Sequence, residues 1–367
     1  MSLNYDNLSA MTQDVYIPKL VDNIFKTNIL TYRMLKKSIP HGGGTEVVQP
    51  VEYASMDSSG GSQSMGFYSG ADALTTNEKE KFSAAKYDWV QAYATIRITG
   101  KEEALNDGSE KVLDMLEAKM KNAERSIRDL YATTLYGSNN AAATGFNGLG
   151  HIIQKYAQSG SASAATSLGG IERATSSGYA WWNAGYAKEF SDTGHASNGA
   201  EPSFAQITTS SSVALAQGAN TAGMDRAAAG ESIYLPNIMR DAVGSLSYGA
   251  DRPTLIVTTQ VLFDAYEATL NPNKRFVNSD IADAGFQTLE YRGIPVVVDH
   301  QCPDGEMFFL NENYVQFRHH RKRNFTFTGF KKPENYDAAW GQILWLGALT
   351  CSAPRMLGRV KGLATGY

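Results

Sequence analysis

The feature that most constrains this chain is a long amphipathic pattern over residues 109–136. Mostly apolar residues recur there at spacings of three and four, which predicts a helix with one buried stripe. They are Val112, Leu116, Met120, Ala123, Ile127, Leu130 and Thr134. Asp107 and Glu110 form a capping-box pattern, and Gly137 marks the end. About 27 residues at about 1.5 Å each span about 40 Å. This spine helix must therefore lie across a sheet or a neighbouring chain.

Residues 45–99 predict two strands joined by a long connection. Pro50 confines the first, over residues 45–53, to a sheet edge or a bulge. The second, over residues 86–99, alternates between two faces, one of which carries Val90, Ala92, Ala94, Ile96 and Ile98. About 30 Ser- and Gly-rich residues lie between them, whereas loops beyond about 12–15 residues in compact domains usually have a function. Two interpretations stay open: a projecting hairpin whose tip meets a partner, or a disordered surface loop.

The regions on either side of the hairpin and the spine helix are less regular. A helix is predicted over residues 17–35, and His41-Gly42-Gly43-Gly44 then breaks the chain. We interpret residues 1–44 as an N-terminal arm that packs on something else. Residues 137–230 are rich in small and polar side chains. Within them the adjacent Trp181 and Trp182 are predicted to anchor a loop to a core or an interface.

The C-terminal half alternates short helices and strands. Helices are predicted over residues 231–247 and 260–270, and strands over residues 254–258, 293–298, 307–310 and 314–318. A last apolar run covers residues 343–351. The predicted fold class is therefore α+β.

Composition excludes several classes of protein. Hydrophobic residues make up 43% of the chain and charged residues 19%, with a net charge of −4. A disordered chain and a basic DNA-coating protein are both excluded. Cys302 and Cys351 are too few for a disulfide framework and are expected to be buried thiols in a reducing compartment. We expect no signal peptide, because the start MSLNYDNLSA has no basic region followed by an apolar run. We expect no membrane partner, because no apolar stretch approaches about 18 residues.

A search for reactive groups yields no convincing constellation. His41-Gly42-Gly43-Gly44 matches a glycine motif that lines the oxyanion hole of some esterases, but the chain lacks the G-x-S-x-G nucleophile motif. The pairs His300 with Cys302 and His319 with His320 lack further ligands at metal-binding spacings. We predict no catalytic residue, no metal and no cofactor. A hydrolase that uses the His41–Gly44 loop stays as an alternative.

The densest basic run extends from Arg318 to Arg323. Its cations are Arg318, Arg321, Lys322 and Arg323. They predict contact either with nucleic-acid phosphates or with another subunit, although a solvated or salt-bridged strand end has the same pattern. A nucleic-acid contact here would be weak and insensitive to base sequence, since the chain has no motif that reads a DNA groove.

Several short motifs complete the pattern, in a fixed order. They are Gly169-Gly170-Ile171-x-Arg173, Trp181-Trp182-Asn183, Thr254-Leu255-Ile256-Val257, Tyr291-Arg292-Gly293-Ile294-Pro295-Val296-Val297, Cys302-Pro303-x-Gly305, Phe308-Phe309-Leu310-Asn311, Leu349-Thr350 and Pro354-Arg355. With the arm, hairpin and spine helix, they make nearly the whole chain resemble the major capsid proteins of tailed double-stranded DNA phages, which have the Hong Kong 97-type capsid fold.

The resemblance implies a division of the chain into five parts. They are an N-terminal arm over residues 1–44, an extended hairpin called the E-loop over 45–99, a peripheral domain over 100–230 with the spine helix at 109–136, an axial domain over 231–315, and return strands of the peripheral domain over 316–367.

The same resemblance implies a non-enzymatic function. Pentamers and hexamers of the chain would close into an icosahedral shell around packaged double-stranded DNA, held without sequence specificity, in a virion assembled in the host cytoplasm. The E-loop would contact neighbouring subunits through Ser55, Met56, Met65, Phe67, Tyr68 and Lys79. A portal and a decoration protein are further expected partners. The hairpin begins too early to leave room for a scaffolding segment, so we expect a separate scaffolding protein or none. An encapsulin-like cellular compartment of the same fold is the alternative.

Overall fold

The computed structural model describes residues 28–52, 67–70, 82–105, 115–137, 145–154, 167–173, 180–189, 205–208, 225–226, 233–270, 289–333 and 336–364. The helices in these ranges are α1 (Ile29–Lys36), α2 (Gly100–Leu105), α3 (Met115–Leu135), α4 (Leu149–Ile152), α5 (Leu235–Leu246) and α6 (Gln260–Thr269). The strands in the first half are β1 (Ile39–His41), β2 (Glu46–Glu52), β3 (Phe82–Asp88), β4 (Val90–Thr99), β5 (Ser167–Leu168), β6 (Ile171–Glu172), β7 (Tyr186–Glu189), β8 (Ala205–Thr208), β9 (Asp225–Arg226) and β10 (Ile233–Tyr234). Those in the second half are β11 (Leu255–Thr258), β12 (Leu289–Tyr291), β13 (Ile294–Val298), β14 (Met307–Leu310), β15 (Val315–His320), β16 (Thr326–Phe327), β17 (Ala338–Cys351), β18 (Gly358–Lys361) and β19 (Leu363–Ala364).

The first sheet is organised around the long strand β17. Its order is β1–β15–β17–β16, and β4 also pairs with β17. The antiparallel register of β4 runs from Thr99 opposite Ala338 to Val90 opposite Gly347. Because β17 has 14 residues, it can pair with β4 along most of its length and with β15 at its end. The parallel edge strand β1 adds the end of the predicted N-terminal arm to this sheet.

The spine helix α3 lies across β4 and buries one side. Ile127, Tyr131 and Leu135 are buried, and the ring of Tyr131 lies 4.8 Å from the ring of Trp345. Positions four residues apart follow the stripe of an α-helix, which explains why these three share a face. The prediction that Leu130 belongs to the stripe is wrong, because its side chain is 53% exposed. Residues 109–114 of the predicted helix lie outside the described residues.

A seven-stranded sheet forms the second layer, in the order β12–β13–β11–β14–β18–β7–β9. Its central strands are buried on both faces, which explains their continuous apolar runs. Ile256 and Phe309 pack with α5 and α6, whereas Val257 and Phe308 on the opposite face belong to the core shared with α3. The strands and helices predicted in this region are confirmed, except that residues 233–234 form strand β10 instead of the start of the helix predicted over residues 231–247. Pro236 fits α5 because it is the second helical residue, where a backbone donor is not needed.

Strands from distant parts of the chain complete this second sheet. β18 lies in the segment that we assigned to returning strands of the peripheral domain, yet it pairs with β14 and with β7. The boundary that we placed at residue 315 therefore does not follow the sheets. Smaller pairings are β5 with β6, and β8 with both β10 and β19.

The hairpin is a two-stranded ribbon separate from both sheets. β2 and β3 pair from Glu46 opposite Asp88 to Glu52 opposite Phe82. Both are edge strands, which is where Pro50 was expected. The single strand predicted over residues 86–99 is instead divided at Trp89, because β3 pairs with β2 whereas β4 joins the first sheet. The alternation of side chains continues through this change of partner, so the sequence carries no sign of it.

Candidate functional site

The root of the hairpin is fixed to the body of the subunit through one face of the ribbon. Val47, Ala85 and Tyr87 on this face are buried. The Tyr87 hydroxyl donates a 2.7 Å hydrogen bond to the Cys351 carbonyl and accepts one from the Cys351 amide at 3.3 Å. The orientation of the hairpin relative to β17 is therefore set by a buried polar contact as well as by apolar packing.

A glycine turn supports the same face. The Lys86 amide donates to the Gly169 carbonyl at 2.8 Å. Gly169 has a φ of +59°, and a Cβ there would lie 2.9 Å from the Cβ of Ala85. Only glycine combines this backbone conformation with so close an approach. The Gly169-Gly170 motif thus has a structural explanation, which is contact with the hairpin root.

The opposite face of the ribbon and the described part of its connection carry exposed apolar side chains. Val48 is 46% exposed and Phe82 is 74% exposed. Phe67 and Tyr68, two of the predicted E-loop contact residues, are also exposed. The other predicted contact residues, Ser55, Met56, Met65 and Lys79, lie outside the described residues. Exposed apolar groups of this kind are typical of surfaces that another protein covers.

An aromatic junction joins the hairpin, the arm and strand β15. The ring of Trp89 lies 5.8 Å from that of His41 and 6.0 Å from that of His320. Its indole N–H donates to the Gly44 carbonyl at 2.9 Å. The His41–Gly44 loop is therefore the turn between β1 and the hairpin, and its last carbonyl is bonded to an indole. A hydrolase function gains no support from this geometry.

The predicted basic run divides into two parts. Arg318 lies in β15, where its Nη2 donates to Oε1 of Gln49 at 2.8 Å, so it contacts the hairpin root. Arg321, Lys322 and Arg323 lie in the exposed turn after β15. Burial lowers the pKa of the neighbouring His319. We call Arg321–Lys322–Arg323 the basic turn.

The two tryptophans have different environments. Trp182 is 1% exposed, and its indole N–H donates to the Leu168 carbonyl at 2.9 Å, whereas Trp181 is partly buried. Buried Arg173 lies close by and donates to the carbonyls of His151 and Ile152 at 2.8 and 3.1 Å. These hydrogen bonds give the carbonyls at the end of α4 a donor, and they give the buried guanidinium of Arg173 polar acceptors in place of water. The role of Arg173 was not predicted.

The described part of the predicted arm packs on its own subunit. Leu30 and Met34 of α1 are buried. Glu312 receives hydrogen bonds at 2.7 Å from Nε of Arg33 and at 2.6 Å from Nζ of Lys37. Burial by itself would raise the pKa of Glu312, but these cations outweigh it and hold the pKa below its ordinary value. Residues 29–36 therefore lie against the body instead of reaching outward, contrary to our interpretation of the arm.

Asp299 caps the start of the same helix. Its Oδ2 accepts from the Leu30 amide at 3.3 Å, and its Oδ1 accepts from the Gln301 amide at 3.0 Å. Burial raises the pKa of this carboxyl, although both amide donors oppose the shift. The local sequence gave no sign that Asp299 caps α1, whose Leu30 lies 269 positions earlier in the chain.

A buried ion pair was also missed. Arg359 in β18 and Glu306 before β14 are joined by hydrogen bonds of 2.9 and 2.6 Å. Nη1 of Arg359 donates to the Gly150 carbonyl at 3.0 Å. The pair therefore joins the seven-stranded sheet to α4, and nothing in the local sequence pattern marks it.

Cys302 and Cys351 are buried free thiols, as predicted. Burial raises the pKa of Cys302 well above its ordinary value and that of Cys351 to about 12, so both stay protonated and unreactive. Across the described ranges, no three His, Cys, Asp or Glu side chains are grouped to hold a metal ion. Among the same residues, no helix combines the length and the apolar character needed to cross a membrane.

Comparison with solved structures relates the whole fold to shell proteins. The chain aligns with a capsid chain of cyanophage A-1(L) at a TM-score of 0.60 and 14% identity, over 95% of this chain and 96% of that chain. A capsid chain of an empty GTA particle aligns at a TM-score of 0.57 and 13% identity, over 96% of both chains. The encapsulin SrpI of Synechococcus elongatus aligns at a TM-score of 0.51 and 8% identity, over 96% of this chain and 95% of that chain.

Comparison by sequence adds no relative, since no protein-family model and no curated protein matches the chain. The structural matches cover almost the full length of this chain and of the matched chains, and several of the matched chains come from phages. The chain therefore has the fold of the phage capsid proteins, and the α+β capsid fold expected from its sequence is confirmed.

Proposed function

We propose that this chain is the major capsid protein of a tailed phage, and that it has a structural and not an enzymatic role. The observation that carries the proposal is the fold match to capsid chains over almost the whole length of both partners. Subunits would assemble through pentamers and hexamers into an icosahedral shell around double-stranded DNA. They would assemble in the host cytoplasm and reside in the virion, with a portal and, where present, scaffolding and decoration proteins as partners.

Within this proposal, each part of the chain has a role. Within the E-loop predicted over residues 45–99, the β2–β3 ribbon and its connection extend to a neighbouring subunit, whereas β4 stays in the first sheet. The remainder of the N-terminal arm before α1 contacts a sister copy. Residues 100–230 and 316–367 would form the peripheral domain and residues 231–315 the axial domain, with β18 as the strand by which residues 316–367 join the seven-stranded sheet. Trp181 and Trp182 hold the loop between α4 and β7 against the core.

The exposed side chains of the hairpin would supply the contact energy. Burial of one large apolar side chain stabilises an interface by about 1.5–3 kcal/mol, and Val48, Phe67, Tyr68 and Phe82 are all exposed in the single subunit. Loss of translational and rotational freedom offsets much of this gain. A closed shell repeats each contact many times, so a small surplus per contact is sufficient.

The test combines microscopy with a charge placed on the exposed ribbon face. The purified chain should form uniform round particles in negative-stain images and sediment as a large assembly. The double variant Val48→Asp/Phe82→Asp should stay folded and fail to assemble, because both side chains point away from the body. Val261→Asp is the matched control, since Val261 is 49% exposed on α6. If the wild-type chain stays monomeric at high concentration, the proposed function is wrong.

A deletion of residues 55–80 tests the same contact without point substitutions. We expect a folded subunit that does not assemble, and normal shells from this deletion would contradict the role of the hairpin.

A cellular compartment is the second candidate, because the encapsulin SrpI aligns over 95% of its chain. Both candidates predict shells, so the contents distinguish them. Particles purified from the native source and treated with nuclease should contain protected DNA if the chain is a capsid protein. Protected cargo protein without DNA would favour the compartment.

A further inference from the structure

The backbone of the basic turn is held rigidly. The Arg321 amide donates to the His41 carbonyl at 3.2 Å, and the Arg323 amide donates to the His320 carbonyl at 3.1 Å. The Arg323 carbonyl accepts from the Leu346 amide at 2.9 Å. The turn is thus bonded to β1, to β15 and to β17, so its side chains project from a fixed base.

Phe325 fixes the far side of the turn. It has a φ of +51°, a conformation that bulky residues rarely adopt. Its ring lies 6.1 Å from that of Tyr131, and it packs against the core beneath the spine helix. Partial burial of the ring offsets the backbone strain and ties the chain after Arg323 to the core.

The cations on this base lack an acidic partner among the described residues. Arg321, Lys322 and Arg323 are exposed, and within the described ranges none of them forms an ion pair with an acidic side chain. The exposed residues that follow, Asn324, Thr326 and Thr328, are polar. Three adjacent unpaired cations are notable in a chain whose net charge is −4.

We propose that the basic turn binds the phosphates of nucleic acid; this inference rests on the proposed capsid function and assigns the DNA contact to particular residues. A contact between proteins is the less favoured alternative, because the core of such a contact is usually apolar and depleted in charged residues, although arginine by itself is common at interfaces. Phosphate contacts need only cations and polar groups, and they carry no sequence information. A preformed turn also loses little conformational entropy when it binds.

The salt dependence of binding is the quantity that this inference fixes. Each phosphate neutralised contributes a slope of about −0.9 in log K against log salt concentration. Contact with up to three phosphates gives a slope of about −2.7 per subunit, so affinity should fall about 40-fold between about 50 and about 200 mM salt. Binding by one subunit is therefore weak at physiological salt, and many copies in one shell strengthen it.

The experiment measures binding of the full purified chain to a labelled mixed-sequence DNA duplex over a series of salt concentrations. The test variant is Arg321→Gln/Lys322→Gln/Arg323→Gln. The control is Lys36→Gln/Lys101→Gln/Arg252→Gln, which changes net charge equally at three other exposed cations. Circular dichroism verifies that both variants are folded, and electron microscopy of each records assembly separately.

We expect the control to keep the wild-type slope and the test variant to lose about 2.7 units of it, with each single substitution losing about 0.9 units. Equal slopes for wild type and test variant would overturn the inference while leaving the proposed function intact. Loss of particles in the test variant without any change in DNA binding would also overturn it, and would assign the turn to an acidic surface of a neighbouring subunit. Absence of particles from the wild-type chain would instead count against the proposed function.

Discussion

Replacing Arg359 by methionine would remove one half of a buried ion pair and leave the other half in place. The side chains of Arg359 and Glu306 are only 5% and 10% exposed, and two hydrogen bonds of 2.9 and 2.6 Å join them. In the variant Arg359→Met, the Glu306 carboxylate stays buried without a counter-charge. The Gly150 carbonyl also loses the donor that bonds to it at 3.0 Å.

These two losses set the expected magnitude. An uncompensated buried charge destabilises a protein by about 3–5 kcal/mol, and an unsatisfied buried carbonyl adds about 1 kcal/mol. The single variant should therefore lose about 4–6 kcal/mol, a large part of the stability of about 5–15 kcal/mol that is usual for folded proteins. The double variant Glu306→Met/Arg359→Met removes the charge as well, so it should lose only about 1–2 kcal/mol.

Urea unfolding of unassembled subunits, followed by circular dichroism, measures these differences as shifts of the midpoint. The control is Arg240→Met, because Arg240 forms an exposed pair with Asp241 and should contribute no more than about 1 kcal/mol. A single variant as stable as the control, or a double variant less stable than the single, would refute the assignment of this pair as a buried, strongly coupled contact.

Further expectations concern the arm and the hairpin root. Glu312→Gln should lower the free energy of unfolding by about 1–3 kcal/mol at neutral pH. Because the folded-state pKa of Glu312 is lowered, this loss should be complete above about pH 4.3 and should shrink as the pH falls further. A loss of stability that does not change with pH in urea titrations would contradict this. Gly169→Ala should lower the melting temperature more than Gly170→Ala. Both glycines have a positive φ, but only at Gly169 would the added methyl group meet Ala85. Equal melting temperatures of the two variants would be evidence against a tightly packed hairpin root. Tyr87→Phe should lower the free energy of unfolding by about 1–3 kcal/mol and reduce the yield of particles, since the Cys351 carbonyl loses the hydroxyl that donates to it. An unchanged unfolding midpoint would show that the hydroxyl is dispensable.

The sequence allowed strands and helices to be predicted wherever the order of apolar and polar residues reflects which side chains are buried. The apolar runs of β11 and β14 indicated strands buried on both faces, and the helical repeat indicated α3. Predictions failed where the environment came from distant residues. Leu130 fits the helical repeat as well as Ile127 does, but Ile127 is buried whereas Leu130 is 53% exposed. The division between β3 and β4 at Trp89 could not be predicted, because side chains alternate between the two faces in the same way whichever strand is the partner.

For the candidate site, the sequence by itself identified the hairpin, the basic run and the absence of any recognisable catalytic motif. It could do so because composition and alternation are properties of neighbouring residues. Only the tertiary structure decided that Arg318 contacts the hairpin root, whereas the basic turn forms no ion pair within the part of the chain that the structure describes. It also decided that α1 docks on the body through Arg33 and Glu312, which are 279 positions apart. Such contacts depend on how the two sheets pack as a whole, and no repeat along the chain encodes that arrangement.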